Sequence, residues 1–219
     1  MHSWLDPAVE RRVYAYHGTT ATVSTKVLDE LRFEEKIRPY HWLGNGVYFF
    51  EEAPVRAYGW ALREAEQTKG EPAVIGVELN LSSDVLDLCD IGDWPLVHRA
   101  HEIYVAKCQE SGLPAETQKP PKLLLDPDPQ YVYEPKEATF AEKGIGNNKL
   151  DCAALNHVKK HYQSLNGTHL TAIRCSFMEG PPVYETSFLY VRNHAQINVI
   201  DQSIICDIFP VPINQIVVG

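Results

Sequence analysis

Two short strings have residue types that could do chemistry: His17-Gly18-Thr19 and, later, Gly44-Asn45-Gly46-Val47-Tyr48-Phe49-Phe50. His17 and Thr19 carry short polar groups suited to sugar hydroxyls. Gly18 has no Cβ, so a ligand amide can approach its main chain and exchange hydrogen bonds with the N–H and C=O. Tyr48 offers an aromatic face, which attracts a cationic ring by roughly 0.5–2 kcal/mol. Taken alone, His17 is more often an ordinary strand-end histidine, and the glycine string is more often a turn into a buried strand. Their joint order and spacing favour a binding site.

The elements that must position these residues follow from periodicity. Val13-Tyr14-Ala15-Tyr16 alternates and is rich in β-formers, which predicts a strand delivering His17 at its end. Residues 47–50 are a second strand, and Pro54 opens a helix that carries Tyr58. Between them lie an amphipathic helix over 23–31 and a loop over 32–40 in which Arg32 or Arg38 could reach a pyrophosphate. A strand over 73–79 and a helix over 95–110, begun by Asp93 and closed at Gly112, come next. Residues 113–149 hold prolines at 114, 120, 121, 127, 129 and 135 and read as a Pro-rich insertion. A helix over 151–162, strands over 170–177, 187–191 and 196–200, and an edge segment over 204–211 complete the chain. Strands outnumber helices and alternate poorly with them, which predicts one α+β domain over 1–219 with mainly antiparallel pairing.

The two strings, separated by one helix-sized segment, resemble the first two signature motifs of the ADP-ribosyltransferase superfamily. The similarity is to the branch with a His and a Tyr that includes diphtheria toxin and the poly(ADP-ribose) polymerases. Trp42-Leu43-Gly44 and His194-Ala195-Gln196-Ile197 extend it to a group of uncharacterised bacterial proteins. By motif placement it covers roughly residues 13–62 and 170–211. The resemblance implies two facing, mainly antiparallel sheets forming a cleft for NAD, used as co-substrate. It also implies that Gly18 takes the nicotinamide carboxamide, His17 the adenosine ribose, and Tyr48 and Tyr58 the two faces of the nicotinamide ring. The charge on that ring disappears as nicotinamide leaves, so such a sandwich orients the leaving group more than it lowers the barrier.

The third motif departs from the polymerase pattern, whose late strand begins with a glutamate. The best match, His194-Ala195-Gln196-Ile197-Asn198-Val199-Ile200-Asp201, puts Gln196 there. An amide can hydrogen-bond a ribose hydroxyl but supplies no negative charge and no general base, so polymer elongation is not expected. Glu179, in Met178-Glu179-Gly180-Pro181-Pro182, is the first candidate for a replacement carboxylate; its alternative is a solvated turn residue. Asp151 is more simply a helix N-cap, and Glu185 and Asp201 are weaker candidates.

The 219 residues, 44% hydrophobic, suffice for a core of their own. No run approaches the ~20 apolar residues that span a bilayer, and the first residues lack a secretory pattern, so a cytoplasmic protein without membrane contact is expected. Net charge is −9 and no basic cluster exceeds Lys159-Lys160, which argues against stable nucleic-acid binding. A transient contact with one nucleotide stays open. The acidic surface could meet a basic partner such as an antitoxin or immunity protein. Cys89, Cys152, Cys175 and Cys206 read as reduced core thiols. His98 with His101 and His157 with His161 have helical spacing but no third ligand nearby, so no metal is expected.

These readings converge on an NAD-dependent mono-ADP-ribosyltransferase acting on a macromolecular acceptor, protein or nucleic acid. A bacterial toxin or phage-defence effector is the setting suggested by analogy. An NAD glycohydrolase and an inactive domain that binds NAD or ADP-ribose are the alternatives.

Overall fold

The strand expected before His17 runs from Arg12 to Thr20 (β1) and leads directly into helix α1, Ala21–Glu30. It belongs to a computed structural model that describes residues 10–82, 84–118, 148–180, 182–184, 187 and 189–216. Strand β2 (Val47–Glu51) follows, then helix α2 (Pro54–Thr68), β3 (Pro72–Asn80) and a short β4 (Val85–Asp87). Helix α3 (Trp94–Glu110) and helix α4 (Lys149–Asn166) come next, then β5 (Ala172–Phe177), β6 (His194–Val199) and β7 (Ile205–Val211). Most of the Pro-rich insertion at 113–149, with Tyr131, Tyr133 and Phe140, lies outside the described residues.

The architecture is α+β. The strands form one seven-stranded sheet in the order β4-β5-β6-β2-β1-β3-β7, antiparallel throughout except for the parallel β4–β5 pair. Two separate facing sheets were expected, and the described strands instead form one sheet with a short seam. β1 and β3 share nine register pairs and β2 and β6 share five, but β1 and β2 share only Ala15–Glu51 and Tyr16–Phe50. The seam arises because β1 enters β2 only at its N-terminal half and then continues alone with β3.

One face of the sheet carries a core of Ala15, Phe33, Phe49, Ile75, Val77 and Ile197 among others. On the other face α3 and α4 cover β4 and β5 through Ala100, Leu155 and Val158, while α2 covers β1 and β3. Helix α2 buries Ala57, Ala61 and Ala65, small residues four apart that let its backbone come close. A Cβ on Gly18 would stand 2.0 Å from the Ala57 carbonyl oxygen. The missing Cβ that sequence assigned to an approaching ligand is therefore filled by the helix.

Two further expectations are corrected. Residues 187–191 form no strand in the described part; only Tyr190 makes an isolated bridge, to Pro182. Of the four cysteines expected in the core, Cys152 is buried and Cys175 partly so, while Cys89 and Cys206 are exposed. Among the described residues no helix is long and apolar enough to cross a membrane.

Candidate functional site

The seam between β1 and β2 opens at the residues of the first two motifs. Tyr14 O accepts a 2.9 Å hydrogen bond from Glu52 N, so strand alternation turns the N–H and C=O of Tyr14, Tyr16 and Gly18 toward β2. Continuing the register would set Gly18 opposite Tyr48, but pairing ends at Tyr16–Phe50. Gly18 thus presents a donor and an acceptor to the gap where the strands part. His17 Nδ1 spans the gap and lies 2.8 Å from the Tyr48 carbonyl oxygen. A carbonyl only accepts, so Nδ1 carries the proton. Burial holds the His17 pKa below its usual value, which keeps the ring neutral.

Alternation also divides the side chains of these motifs between the two faces. His17 and Thr19 lie on the face of Ala15, where the His17 ring meets Phe33 at 5.4 Å and Phe49 at 5.8 Å. Thr19 is fully buried, and its hydroxyl has no partner among the described residues. It faces packing in this conformation and not a ribose. Tyr48 lies on the face of Phe50 and Asn198.

The Tyr48 hydroxyl donates to Gly44 O at 2.7 Å and accepts from Leu43 N at 2.8 Å, and its ring lies 5.0 Å from His41. Desolvation pushes its pKa up. Asn198 Nδ2 donates to Leu43 O at 2.6 Å, and Asn156 Oδ1 accepts from Asn45 N at 2.9 Å. Gly46, at φ +153°, takes a conformation that favours glycine, and a Cβ there would meet Asn198 Oδ1 at 1.9 Å. The glycine loop of the second motif is therefore pinned from three sides. Tyr58 packs beside Phe50, Ala57 and Val74, whereas Tyr48 packs beside Leu43 and Leu86. The structure gives no ring contact between the two tyrosines expected to sandwich nicotinamide.

The remaining candidates converge. Gln196 stands opposite Phe50 on the same face as Tyr48. Its Nε2 lies 2.9 Å from His194 Nε2, and His194 Nδ1 lies 2.6 Å from Arg192 O. The carbonyl fixes the proton on Nδ1, so Nε2 accepts from the amide. Burial lowers the His194 pKa, in keeping with that neutral ring. The ring sits between Phe50, at 5.1 Å, and Phe177, stacked at 5.9 Å. Glu179 Oε2 is 3.9 Å from His194 Nδ1 and forms an ion pair with Arg56, whose guanidinium also lies over the Phe50 ring at 5.4 Å.

Glu179 is 6% exposed, so it is a buried carboxylate and not the solvated turn residue of its alternative reading. Gln196 Oε1 and Arg56 Nε are buried without a partner among the described residues. A cavity of about 530 Å³ adjoins this chain of groups and is lined by Arg56, Trp60, Arg63, Glu179 and Arg192.

The other carboxylates are elsewhere. Asp151, exposed in the first turn of α4, bonds Gln118, and Asn148 takes the N-cap position. Asp201 caps a short 3-10 turn through Ser203 N, and Glu185 lies outside the described residues. In the 32–40 loop, Phe33 is buried over the seam, Lys36 pairs with Glu64 at 2.7 Å, and Arg38 stays exposed beside Tyr40. Among the described residues no cluster of three or more His, Cys, Asp or Glu could hold a metal.

Sequence reasoning missed Arg56, His194 and Asn198 as functional positions. His194 and Asn198 sit at two-residue steps from Gln196, so strand period alone put them on its face; Arg56 had no comparable signal. No family model, curated protein or solved structure matches the chain.

Proposed function

We propose that the protein is an NAD-dependent mono-ADP-ribosyltransferase, with NAD held at the parting of β1 and β2 and the reacting ribose on the Gln196 face. The observation that carries this reading is the main chain of Gly18. Its N–H and C=O face a gap where no strand pairs with them, and a carboxamide is the group that satisfies one donor and one acceptor together. The three motifs occupy the three neighbouring strands β1, β2 and β6.

In the reaction the bond between nicotinamide nitrogen and ribose breaks, with its electron pair leaving on nicotinamide. A lone pair of the acceptor then forms the new bond to the anomeric carbon, and the acceptor loses a proton. The centre passes through an oxocarbenium-like state, as in glycoside hydrolysis. Gln196 orients a ribose hydroxyl through its unpartnered Oε1. Glu179 is linked to that amide through the His194 ring, which lies 2.9 Å from Gln196 and 3.9 Å from Glu179; Arg56 offsets its charge, so its action as base or charge stabiliser requires that pair to open. Tyr48 holds the glycine loop as well as offering a ring, and Tyr58 is positioned by α2. One ADP-ribose per acceptor is expected, because no carboxylate occupies the third-motif position to activate a ribose hydroxyl for elongation.

That same amide supports a second reading, NAD hydrolysis with water as acceptor, and a third, binding of NAD or ADP-ribose without turnover. By analogy the transferase acts as a bacterial toxin or phage-defence effector. Mass spectrometry after incubation with NAD and a cell lysate separates them. Adducts of a single ADP-ribosyl group mark the transferase; free ADP-ribose marks the hydrolase, and neither marks a binding domain.

A further inference from the structure

We propose that the cavity beside Glu179, with the arm of residues 189–192 at its mouth, is a docking surface for a protein segment carrying an acidic side chain between apolar ones. The floor is cationic. Arg56, Arg63 and Arg192 line it, and Glu179 is the one carboxylate among the described lining residues, in a chain whose net charge is −9. Glu179 already neutralises Arg56, and Arg192 has no ion-pair partner among the described residues. Its main chain is held in place, since Arg192 N donates to Glu179 O at 3.0 Å and Arg192 O accepts from His194.

The surroundings are apolar and exposed. Trp60 and Val55 stand out from α2 at 43% and 47% exposure, and Val191 lines the cavity at 55%. Leu189 and Val183, joined by a 2.8 Å bond from Val183 N to Leu189 O, are 61% and 54% exposed, and Tyr184 follows at 64%. Trp, Tyr and Arg around an apolar patch are the residue types that dominate protein–protein binding energy. A nucleic-acid surface is polar and strongly basic, and an aliphatic rim on an acidic chain is not. The complementary occupant therefore sets a carboxylate against Arg192 and lays aliphatic side chains on Trp60 and Val191. The surface shares Arg56 and Glu179 with the proposed NAD face, but Trp60 and Arg192, the residues varied below, have no part in that proposal, so peptide binding is read whether or not NAD is turned over.

The test is selection of octapeptides from a random displayed library on the full-length protein, followed by fluorescence anisotropy with the recovered peptides. The expected consensus is an Asp or Glu flanked by apolar residues. Trp60→Ala and Arg192→Glu, both at accessible side chains, are each expected to weaken these peptides about tenfold or more. A peptide with Lys in place of its acid is expected to bind Arg192→Glu better than the wild type. Circular dichroism checks that both variants are folded. The proposal is overturned if no peptide is recovered, if the consensus lacks an acid, or if both variants bind as the wild type does. It is equally overturned if a single-stranded RNA hexamer displaces the peptides from this face, or if the protein alone dimerises through it and Arg192→Glu abolishes the dimer.

Discussion

On one face of β1 and β2, His17, Phe33 and Phe49 pack edge to face beside the buried Ala15 and Thr19; on the other, Arg56, Glu179, His194 and Gln196 form a chain of buried polar groups that opens onto a cavity. The first face gains from apolar burial and aromatic contact and leaves one hydroxyl unmet. The second takes a carboxylate and a guanidinium largely out of water, and a pair of that kind seldom stabilises more than apolar residues of the same size would. A fold does not need such an arrangement in order to hold together. The first face has a comparable pair, Arg174 with Glu51; the Glu179 pair differs in lying beside Gln196 and opening onto the cavity, which separates residues that hold the sheet from those available to act.

The contrast is broken most strongly at the ion pair. Arg56→Ala leaves Glu179 charged and buried, and an expected loss of about 3–5 kcal/mol follows, read from urea denaturation. The double variant Arg56→Leu with Glu179→Leu is expected to recover most of it. If Arg56→Ala alone costs nothing, the pair is solvated and the contrast between faces fails.

Gly18→Ala comes next, because the new methyl would meet the Ala57 carbonyl and neither backbone can yield cheaply. The expected cost is about 1–3 kcal/mol, with α2 displaced from β1. Hydrogen exchange in α2 reads that displacement, and unchanged protection there would contradict the close approach.

Tyr48→Phe removes both bonds of the hydroxyl to the 43–44 loop. A loss of about 1–3 kcal/mol is expected, as for other buried groups left unpaired. Unchanged stability would return the tyrosine to a purely ligand-facing role.

On the opposite face, Thr19→Val replaces a buried hydroxyl that has no described partner, so stability is expected to hold or rise by up to about 1 kcal/mol. A clear loss would reveal a partner for that oxygen.

The smallest expected effect is with pH. His17 and His194 both have pKa values held below 6.5 by burial. As pH falls through 6.5 the unfolded chain takes up protons that the folded chain refuses, so stability is full above that pH and declines below it. His194→Gln should flatten the decline in melting temperature between about pH 7.5 and 5.5. An identical slope would show that His194 does not titrate in this way.

Much of the fold was legible because its signals are local. The alternation of Val13 to Tyr16, the proline opening α2 and the apolar run of β3 all fall within one element, and each appears within a few residues of its expected bounds. The seam was not legible, since where β1 leaves β2 depends on pairing with β3. The use of Gly18 was half legible: its freedom from a Cβ was read for a ligand, and α2 takes that space while the main chain faces the gap. Gln196 was singled out by its place in the third motif and Glu179 as a candidate carboxylate, each on its own. Their link through His194 and Arg56 joins α2 to the β5–β6 connection, which no spacing in the sequence shows.

The central claim is that the Glu179–Gln196 face acts on NAD, and nicotinamide release at saturating NAD tests it most directly. Wild type, Glu179→Gln and Thr19→Val are compared, each shown by circular dichroism to be folded. The wild type is expected to release nicotinamide, Thr19→Val to keep that rate within about twofold, and Glu179→Gln to lose about 10²–10⁴-fold with little change in NAD affinity. Equal rates for wild type and Glu179→Gln, or no release by the wild type, would contradict it.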